Sequence, residues 1–262
     1  MQTRTRDIVI LIAGLAVLAS VVLGGYAAVR ARAEGTGATQ VLAPVPRITP
    51  APSGTAEPQY ERWTVGVARR PLTVYRRADA SSPVITKLPM QTSADYPMVV
   101  LVDSVKTVGD RVWYRVWVPI RPNETRGWIR EGHIALYSTT SKIVIDLSER
   151  TLSVYRRGVL AKQFPVAVGK PGLATPTGSY YITQKLRPAD PNGVYGVLQL
   201  GTSAFQPKLN DWPDGGQVGI HGTNEPWLIG KAVSHGCVRM KNKDVKVVSR
   251  LVPTGSPVEI VK

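Results

Sequence analysis

The sequence predicts a mainly β protein built from two folded units, a small barrel over residues 60–138 and a larger β-rich unit over residues 141–262. Short runs that alternate apolar and polar side chains recur between turn signals through both units, as half-buried strands do. Near the end, a segment that starts at Asn242 instead repeats its apolar residues at helical spacing, and the alternating run Pro257–Val261 follows it. We therefore expect one C-terminal helix before the last strand.

The first unit consists of short alternating runs, at Leu72–Tyr75, Val84–Leu88, Met98–Val102, Val112–Val118 and Gly127–Ile129. Strands this short, separated by turns, are typical of small β-barrels. Their spacing resembles that of bacterial SH3-like domains. Trp113, Trp117 and Trp128 fit either a ligand groove or a packed core, and a barrel this small favours the core.

The second unit opens with a predicted hairpin. Its strands Ile143–Leu147 and Leu152–Tyr155 flank the turn Ser148–Thr151, and the run Phe164–Val168 continues the sheet. In the predicted helix, Asn242 is expected to act as the N-cap, since its side chain can accept a hydrogen bond from a free N–H of the first turn.

Residues 8–29 form the one long stretch without a charged side chain. At ~1.5 Å rise per residue, a helix over it would extend about 33 Å, enough to cross a bilayer. A cleavable signal peptide ending at residues 31–33 is the competing interpretation, but the apolar stretch exceeds the ~7–15 residues usual for such signals. We therefore predict a cytoplasmic tip and transmembrane anchor over residues 1–33 and a Pro- and Gly-rich linker over residues 34–59.

The composition excludes several classes of protein. Hydrophobic residues make up 43% of the chain and charged residues 19%, which is too apolar for a disordered protein. Lys and Arg number 33 against 18 Asp and Glu, a formal charge of +15, but the basic residues do not cluster as nucleic-acid binding requires. Attraction to an extended anionic surface fits this charge better. Since Cys237 is the only cysteine, the chain has neither an intramolecular disulfide nor a multi-thiolate metal site.

Two of the three histidines and the only cysteine lie in two short glycine-containing motifs, at residues 220–223 and 234–240. A cysteine attacks an acyl carbon as its thiolate, so it needs an imidazole close enough to remove its proton. His221 can serve Cys237 in this way only if strand ends bring the two motifs together. A glycine before the nucleophile, Gly236, suits a tight turn whose N–H groups point at a developing oxyanion.

Each of these residues also has a purely structural interpretation. A lone cysteine is usually a small buried hydrophobe, and a lone histidine is usually a hydrogen-bonded packing residue. Their joint occurrence with the neighbouring glycines and Arg239 favours catalysis. A zinc hydrolase ligated by His221, His235 and Cys237 is a weaker alternative, because two ligands would share one short turn and neither motif supplies a carboxylate as general base.

The combined pattern is His221-Gly222 followed by Ser234-His-Gly-Cys237 and then Arg239, with an upstream strand Ile143–Leu147, a segment Val166–Gly169 and a turn Thr175–Gly178. In this pattern residues 141–262 resemble the catalytic domain of YkuD-type L,D-transpeptidases. The resemblance implies a β-rich fold in which the nucleophile and histidines gather under a lid, here residues 183–212. It also implies acyl transfer on peptidoglycan stem peptides without a metal or organic cofactor.

The resemblance assigns catalytic roles to five residues. Cys237 would be the nucleophile and His221 the general base, later the general acid. The backbone carbonyl of Gly222 would orient the His221 imidazole. The N–H groups of Gly236 and Cys237 would form the oxyanion hole, and His235 would support the site.

Substrate contacts are expected from Ser234, Arg239 and Tyr195, with Arg239 suited to a substrate carboxylate. The predicted function is a peptidoglycan L,D-transpeptidase that cross-links stem peptides through their third residues in cell-wall biogenesis. An L,D-carboxypeptidase acting on the same stems and a non-enzymatic wall-binding protein are the alternatives.

The expected partners are peptidoglycan stem peptides, the cell membrane through the N-terminal helix, and carbapenem-type β-lactams as inhibitors, with no nucleic acid. Because peptidoglycan lies outside the cytoplasmic membrane, we expect a single-pass membrane protein whose catalytic domain is extracytoplasmic.

Overall fold

The computed structural model of the protein describes residues 60–211 and 213–262, all within one unit. In these ranges no helix is long and apolar enough to cross a membrane. This finding counts against the predicted localisation as a single-pass membrane protein. The predicted anchor at 8–29 and the predicted linker at 34–59 lie outside the described residues.

The fold is mainly β, as predicted, and the described residues contain one α-helix. The strands of the first unit are β1 (Trp63–Ala68), β2 (Leu72–Tyr75), β3 (Val84–Leu88), β4 (Val99–Val108), β5 (Arg111–Trp117), β6 (Arg126–Arg130) and β7 (Ile134–Thr139). Those of the second are β8 (Ser141–Asp146), β9 (Thr151–Arg156), β10 (Val159–Pro165), β11 (Val168–Gly169), β12 (Gly178–Leu186), β13 (Gln199–Phe205), β14 (Gln217–His221), β15 (Ala232–Ser234), β16 (Val238–Arg239) and β17 (Pro257–Val261). The helix, α1, covers Asn242–Leu251 and precedes β17, as expected.

Strands β1 to β7 form one sheet in the order β3-β2-β6-β5-β4-β1-β7. Strands β2 and β3 have the predicted bounds. The sequence does not predict β1 or β7, which pair with each other in antiparallel register. Alternation fails in β1 because Val65 and Gly66 are both buried, so its burial pattern is not that of a half-buried strand. Trp113 is 3% exposed, in agreement with the core interpretation.

The second unit contains a mixed sheet in the order β10-β9-β8-β17-β12-β13-β14-β16. The predicted hairpin is confirmed, with Ile143 opposite Val154 and Ile145 opposite Leu152. The C-terminal strand β17 lies parallel to β8 and antiparallel to β12, in the middle of the sheet. Helix α1 packs its buried side chains Val245 and Val248 into the core of this sheet.

Two local expectations for the second unit are wrong. The predicted lid, residues 183–212, is not one continuous loop, because β12 continues to Leu186 and β13 covers Gln199–Phe205, which leaves residues 187–198 as the loop between the two strands. The predicted N-cap, Asn242, is the first residue of α1; Lys241 is the N-cap, without a side-chain capping hydrogen bond. The Asn242 side chain is used elsewhere, as described below.

The two units share a buried interface. Tyr181 of β12 is fully buried and packs with Val65, Val99 and Leu101 of the first unit. Its hydroxyl donates a hydrogen bond to the Val99 carbonyl at 3.1 Å. Burial raises the pKa of Tyr181, so the hydroxyl stays protonated and remains a donor.

The connection between β5 and β6 also reaches the second unit. The Arg121 guanidinium donates to the carbonyl oxygens of Gln206 and Gly215 at 2.9 and 2.8 Å. The Asn123 side chain both donates to and accepts from the Phe205 backbone, at 2.8 Å in each direction. These contacts hold the first unit against the end of β13.

Candidate active site

The parallel pairing of β14 with β16 brings the two predicted motifs together. His221 lies opposite Arg239 in this register. His221 and Arg239 therefore point to the same face of the sheet edge, and Cys237 lies immediately before β16. The thiol also contacts β14 directly, since the Gly219 N–H donates to Cys237 Sγ at 3.4 Å. The sheet edge therefore brings the strand that ends in His221 next to the cysteine of the other motif.

The turn before Cys237 is closed by Ser234. Its hydroxyl donates to the Cys237 carbonyl at 2.5 Å and accepts from the Gly236 N–H at 3.1 Å. Gly236 has φ +119°, and a Cβ there would lie 2.7 Å from the Gln206 side chain, so the turn requires glycine. Ser234 is 1% exposed. The Gly236 N–H, predicted for the oxyanion hole, serves an oxyanion only by sharing or breaking its bond to Ser234.

His221 is held in one tautomer. Its Nδ1 lies 2.6 Å from the Gly222 carbonyl oxygen, and because a carbonyl only accepts, Nδ1 carries the proton. The Nε2 lone pair is then free to accept a proton from a thiol. Burial, the largest cause, together with the charge of Arg239 lowers the pKa of His221 to about 4, against a smaller opposing effect of the bond to Gly222. The imidazole is therefore neutral near pH 7, as a general base must be.

Cys237 is a protonated thiol at rest. Burial raises its pKa, and the Gly219 N–H and the Arg239 charge only partly oppose this. A half-buried, protonated thiol and a neutral imidazole do not form a preformed thiolate–imidazolium pair. Attack by this sulfur as a thiolate would require transfer of its proton, and the neutral His221 imidazole is the candidate acceptor.

Cys237 and Tyr195 line the same cavity, which has a volume of about 600 Å³. The Tyr195 ring lies edge-on to the His221 imidazole, with the ring centroids 5.0 Å apart. Tyr195 comes from the loop between β12 and β13, so this loop contributes to the burial of His221. The volume is within the range of pockets that bind small ligands or a few residues of peptide.

Arg239 is engaged with a residue that the sequence did not single out. Its Nη1 donates to Glu225 Oε2 at 2.8 Å, with the side chains 16% and 38% exposed. Glu225 occupies the position beside Arg239 where the sequence predicts a substrate carboxylate. A carboxylate ligand would have to displace or share Glu225, and that role of Arg239 stays a prediction.

Asn242 ties the site loops to the start of α1. Its Oδ1 accepts from the N–H groups of Val197 and Thr223, at 3.3 and 3.1 Å. Added Cβ atoms at Gly196 and Gly222 would collide with this oxygen, so both glycines permit the close approach. The loop that carries Tyr195 and the turn after His221 are thereby fastened to one side chain.

The remaining predicted site residue, His235, lies on the exposed side of its turn. Its Nε2 is 3.4 Å from Lys170 Nζ. Within residues 60–211 and 213–262, no group of three or more His, Cys, Asp or Glu side chains could hold a metal ion. The zinc alternative therefore has no preformed ligand set among the described residues.

Sequence reasoning missed Glu225, Gly219 and the bonding role of Asn242. Asn242 agrees with the family pattern and could have been found from it. Glu225 and Gly219 carry no local signal, because their roles follow from strand register and loop packing.

The second unit is similar in sequence to proteins of one known family. The model of the YkuD family, described as an L,D-transpeptidase catalytic domain, matches residues 140–260. The YkuD protein of Bacillus licheniformis, provisionally named an L,D-transpeptidase, is 41% identical over 119 residues, which are 45% of this chain and 64% of that protein. The YkuD protein of Bacillus subtilis strain 168, with the same provisional name, is 39% identical over 124 residues, 47% of this chain and 68% of that protein.

Among solved structures, the chain is similar to L,D-transpeptidase 3 from Mycobacterium tuberculosis in complex with a faropenem-derived adduct. That similarity covers 62% of this chain and 98% of the other, at 16% identity and a TM-score of 0.39. The matched part of the chain thus spans about two thirds of each Bacillus relative. Because the chain is 39% identical to the Bacillus subtilis protein over 68% of that protein, and the family model matches residues 140–260, the chain belongs to the YkuD family of L,D-transpeptidase catalytic domains.

Proposed function

We propose that the protein is a peptidoglycan L,D-transpeptidase in which Cys237 is the nucleophile and His221 the base. The observation that carries this proposal is the pair itself: a buried, neutral imidazole with Nδ1–H bonded to Gly222, on the strand beside the only cysteine. This arrangement leaves Nε2 able to accept the thiol proton, as acyl transfer by a cysteine requires.

In the first half-reaction, Cys237 Sγ attacks the carbonyl carbon of the third stem residue while its proton moves to His221 Nε2. The negative charge on the carbonyl oxygen is stabilised by the Cys237 N–H and by the Gly236 N–H, which is then shared between this oxygen and Ser234 Oγ. The C–N bond to the terminal D-alanine then breaks, and His221 gives its proton to the leaving amine. A thioester and free D-alanine result.

In the second half-reaction, the side-chain amine of another stem peptide attacks the thioester carbonyl. His221 accepts a proton from that amine, the C–S bond breaks, and the proton returns to the Cys237 sulfur. The product joins two third residues. Water in place of the amine gives a tripeptide instead, which is the L,D-carboxypeptidase reaction.

The test is incubation of the full-length chain with purified disaccharide-tetrapeptide, followed by liquid chromatography and mass spectrometry. Cys237→Ser and His221→Gln remove the two reacting groups. His133→Gln is the matched control, because it removes a histidine of the first unit that the mechanism does not use.

Cross-linked dimers lacking one D-alanine, formed by the parent and by His133→Gln but not by the other two variants, are the expected result. Tripeptide alone would assign a carboxypeptidase. A folded parent that binds the substrate and leaves it unchanged would favour a wall-binding protein. Turnover by Cys237→Ser would overturn the assignment of the nucleophile.

We also propose that carbapenem-type β-lactams acylate Cys237. Sγ would attack the lactam carbonyl, the C–N bond of the ring would open, and the ring nitrogen would take the proton. Because the chain has one cysteine, the adduct is unambiguous in the intact mass. A mass increase equal to the whole β-lactam in the parent and none in Cys237→Ser is expected; an unchanged parent mass would contradict the proposal.

For the domain organisation, we propose that residues 60–138 are an SH3-like domain and residues 141–262 the catalytic domain. The sheet of short antiparallel strands over β1 to β7, with a core cluster of its own, supports this reading. An experimental structure in which residues 60–138 lack the SH3 strand arrangement would contradict it.

A further inference from the structure

The cavity at Cys237 has walls from both units. The wall from the second unit includes three carboxamide side chains, those of Gln184, Gln199 and Gln217. The opposite wall comes from the connection between β3 and β4, residues 89–98, named here the wall turn. Its members that face the cavity are Pro89, Thr92, Ser93, Ala94 and Met98. The nucleophile is therefore reached through a space that the second unit does not enclose alone.

Hydrogen bonds within the wall turn fix its conformation. The Thr92 N–H donates to the Tyr96 carbonyl at 2.7 Å, and the Tyr96 N–H donates to Thr92 Oγ1 at 3.3 Å. Below it, the Met98 N–H donates to the Met90 carbonyl at 2.8 Å. The interface formed by Tyr181 and by the connection between β5 and β6 holds the whole first unit in place. Because both the turn and the unit that carries it are held in place, this surface presents a constant shape to a ligand.

Gln184 supplies an independent sign of a ligand. It is 7% exposed, and its Oε1 is buried without a hydrogen-bond partner in the part of the chain that the structure describes. Buried acceptors are nearly always satisfied, and an unsatisfied one destabilises the fold. An N–H group of a bound molecule would satisfy it.

The side chains that line the cavity also indicate which chemical class of ligand it can bind. The described side chains around this cavity include no Lys, Arg, His, Asp or Glu. A charged group buried here would lose its hydration without a partner, whereas a peptide bond would find carboxamides and hydroxyls to pair with. The lining thus suits an uncharged, amide-bearing stretch of peptide.

We propose that the wall turn is part of the peptide-binding site of the second unit, and that Gln184 Oε1 accepts an N–H from an uncharged, amide-bearing segment of the bound peptide. The identity of that peptide as a stem peptide rests on the proposed function. The first unit is then a wall of the active site that sets peptide affinity, and not only a separate binding module.

The test uses a variant in which a larger side chain of the first unit fills the cavity. Ala94→Trp places a large ring on the exposed wall turn, where it need not disturb a core, and Ala80→Trp is the matched control on the exposed turn between β2 and β3. Gln184→Leu removes the buried acceptor at nearly equal volume, and Gln163→Leu is its control on β10. All variants are made in the full-length chain, both with Cys237 and with Cys237→Ser.

Three measurements are made on each variant. Binding of disaccharide-tetrapeptide to the Cys237→Ser forms is measured by calorimetry and needs no activity. Turnover by the Cys237 forms gives KM and kcat. Labelling of Cys237 by iodoacetamide, a reagent much smaller than the cavity, reports whether the thiol and its surroundings are intact.

We expect Kd and KM to rise about tenfold for Ala94→Trp and about fivefold for Gln184→Leu, as loss of peptide contacts implies. The kcat and the labelling rate should change less than twofold, and both controls should match the parent. If Ala94→Trp binds and turns over the peptide as the parent does, the wall turn is not part of the site.

The same measurements can reject the proposed function without rejecting this inference. A parent that does not turn over the peptide, but whose Cys237→Ser form binds it and loses binding with Ala94→Trp, would retain this inference and reject the transpeptidase. A folded parent that neither binds nor turns over the peptide would reject both.

Discussion

The protonation state of His221 gives a direct test of the site geometry. Burial, with help from the Arg239 charge, lowers the pKa of this imidazole from an ordinary 6.5 to about 4. At pH 5.5 a histidine of ordinary pKa is about 9% neutral, whereas one with a pKa near 4 is about 97% neutral. The fraction able to act as a base at pH 5.5 is therefore about tenfold larger than for an exposed histidine.

The titration is followed by NMR on full-length protein labelled with ¹³C at the histidine Cε1 position. The chain has three histidines, so the His221 signal is identified by its absence from His221→Gln. We expect a midpoint near pH 4. The acid limb of kcat/KM for the tetrapeptide should fall at the same pH, because protonation of Nε2 removes the base.

A second variant tests the cause of the shift. Tyr195 packs edge-on against His221, so Tyr195→Ala admits water to the imidazole and should move the midpoint upward toward 6.5. A parent midpoint between pH 6 and 7 would refute the reasoning, since His221 would then be solvated and not the buried neutral base described here.

Three further predictions concern the supports of the site, each measured as the free energy of unfolding in urea. Asn242→Ala leaves two backbone N–H groups without their acceptor and should cost about 2 kcal/mol, whereas Asn242→Asp keeps an acceptor and should cost clearly less; equal losses would contradict this role. Tyr181→Phe removes the buried hydroxyl that donates to Val99 and should cost about 1 kcal/mol, and no change would mean that this bond does not stabilise the interface. Gly255→Ala should cost roughly 1–3 kcal/mol, because Gly255 has φ +77° and a Cβ there would collide with Val65; a neutral result would mean that the two units can separate locally.

Several elements could be predicted because their signals are local. The alternation in Leu72–Tyr75, Val84–Leu88 and Pro257–Val261 gave strands with those bounds. The helix beginning at Asn242 was also found from its spacing. Strand β1 was not predicted because the adjacent residues Val65 and Gly66 are both buried, so the alternation on which the prediction depends is lost there.

The cap and lid predictions failed for a related reason. Asn242 has a side chain typical of an N-cap. In the fold, however, its oxygen accepts hydrogen bonds from the N–H groups of two residues outside the helix, Val197 and Thr223. The glycines and prolines that suggested a long lid lie mostly in residues 187–198, while the flanking residues join the sheet. Local propensity is overruled wherever a distant partner satisfies the same group.

Residue types at short spacing are sufficient to predict the mainly β class, the C-terminal helix and the two motifs that carry Cys237 and His221. Three other features could be found only in the folded chain: the parallel pairing of β14 with β16, the ion pair between Glu225 and Arg239, and the position of the wall turn across the cavity from Cys237. Those features join residues that lie far apart in the chain or in separate units. Their partners are selected by the packing of the whole sheet and the buried interface, which no window of sequence contains.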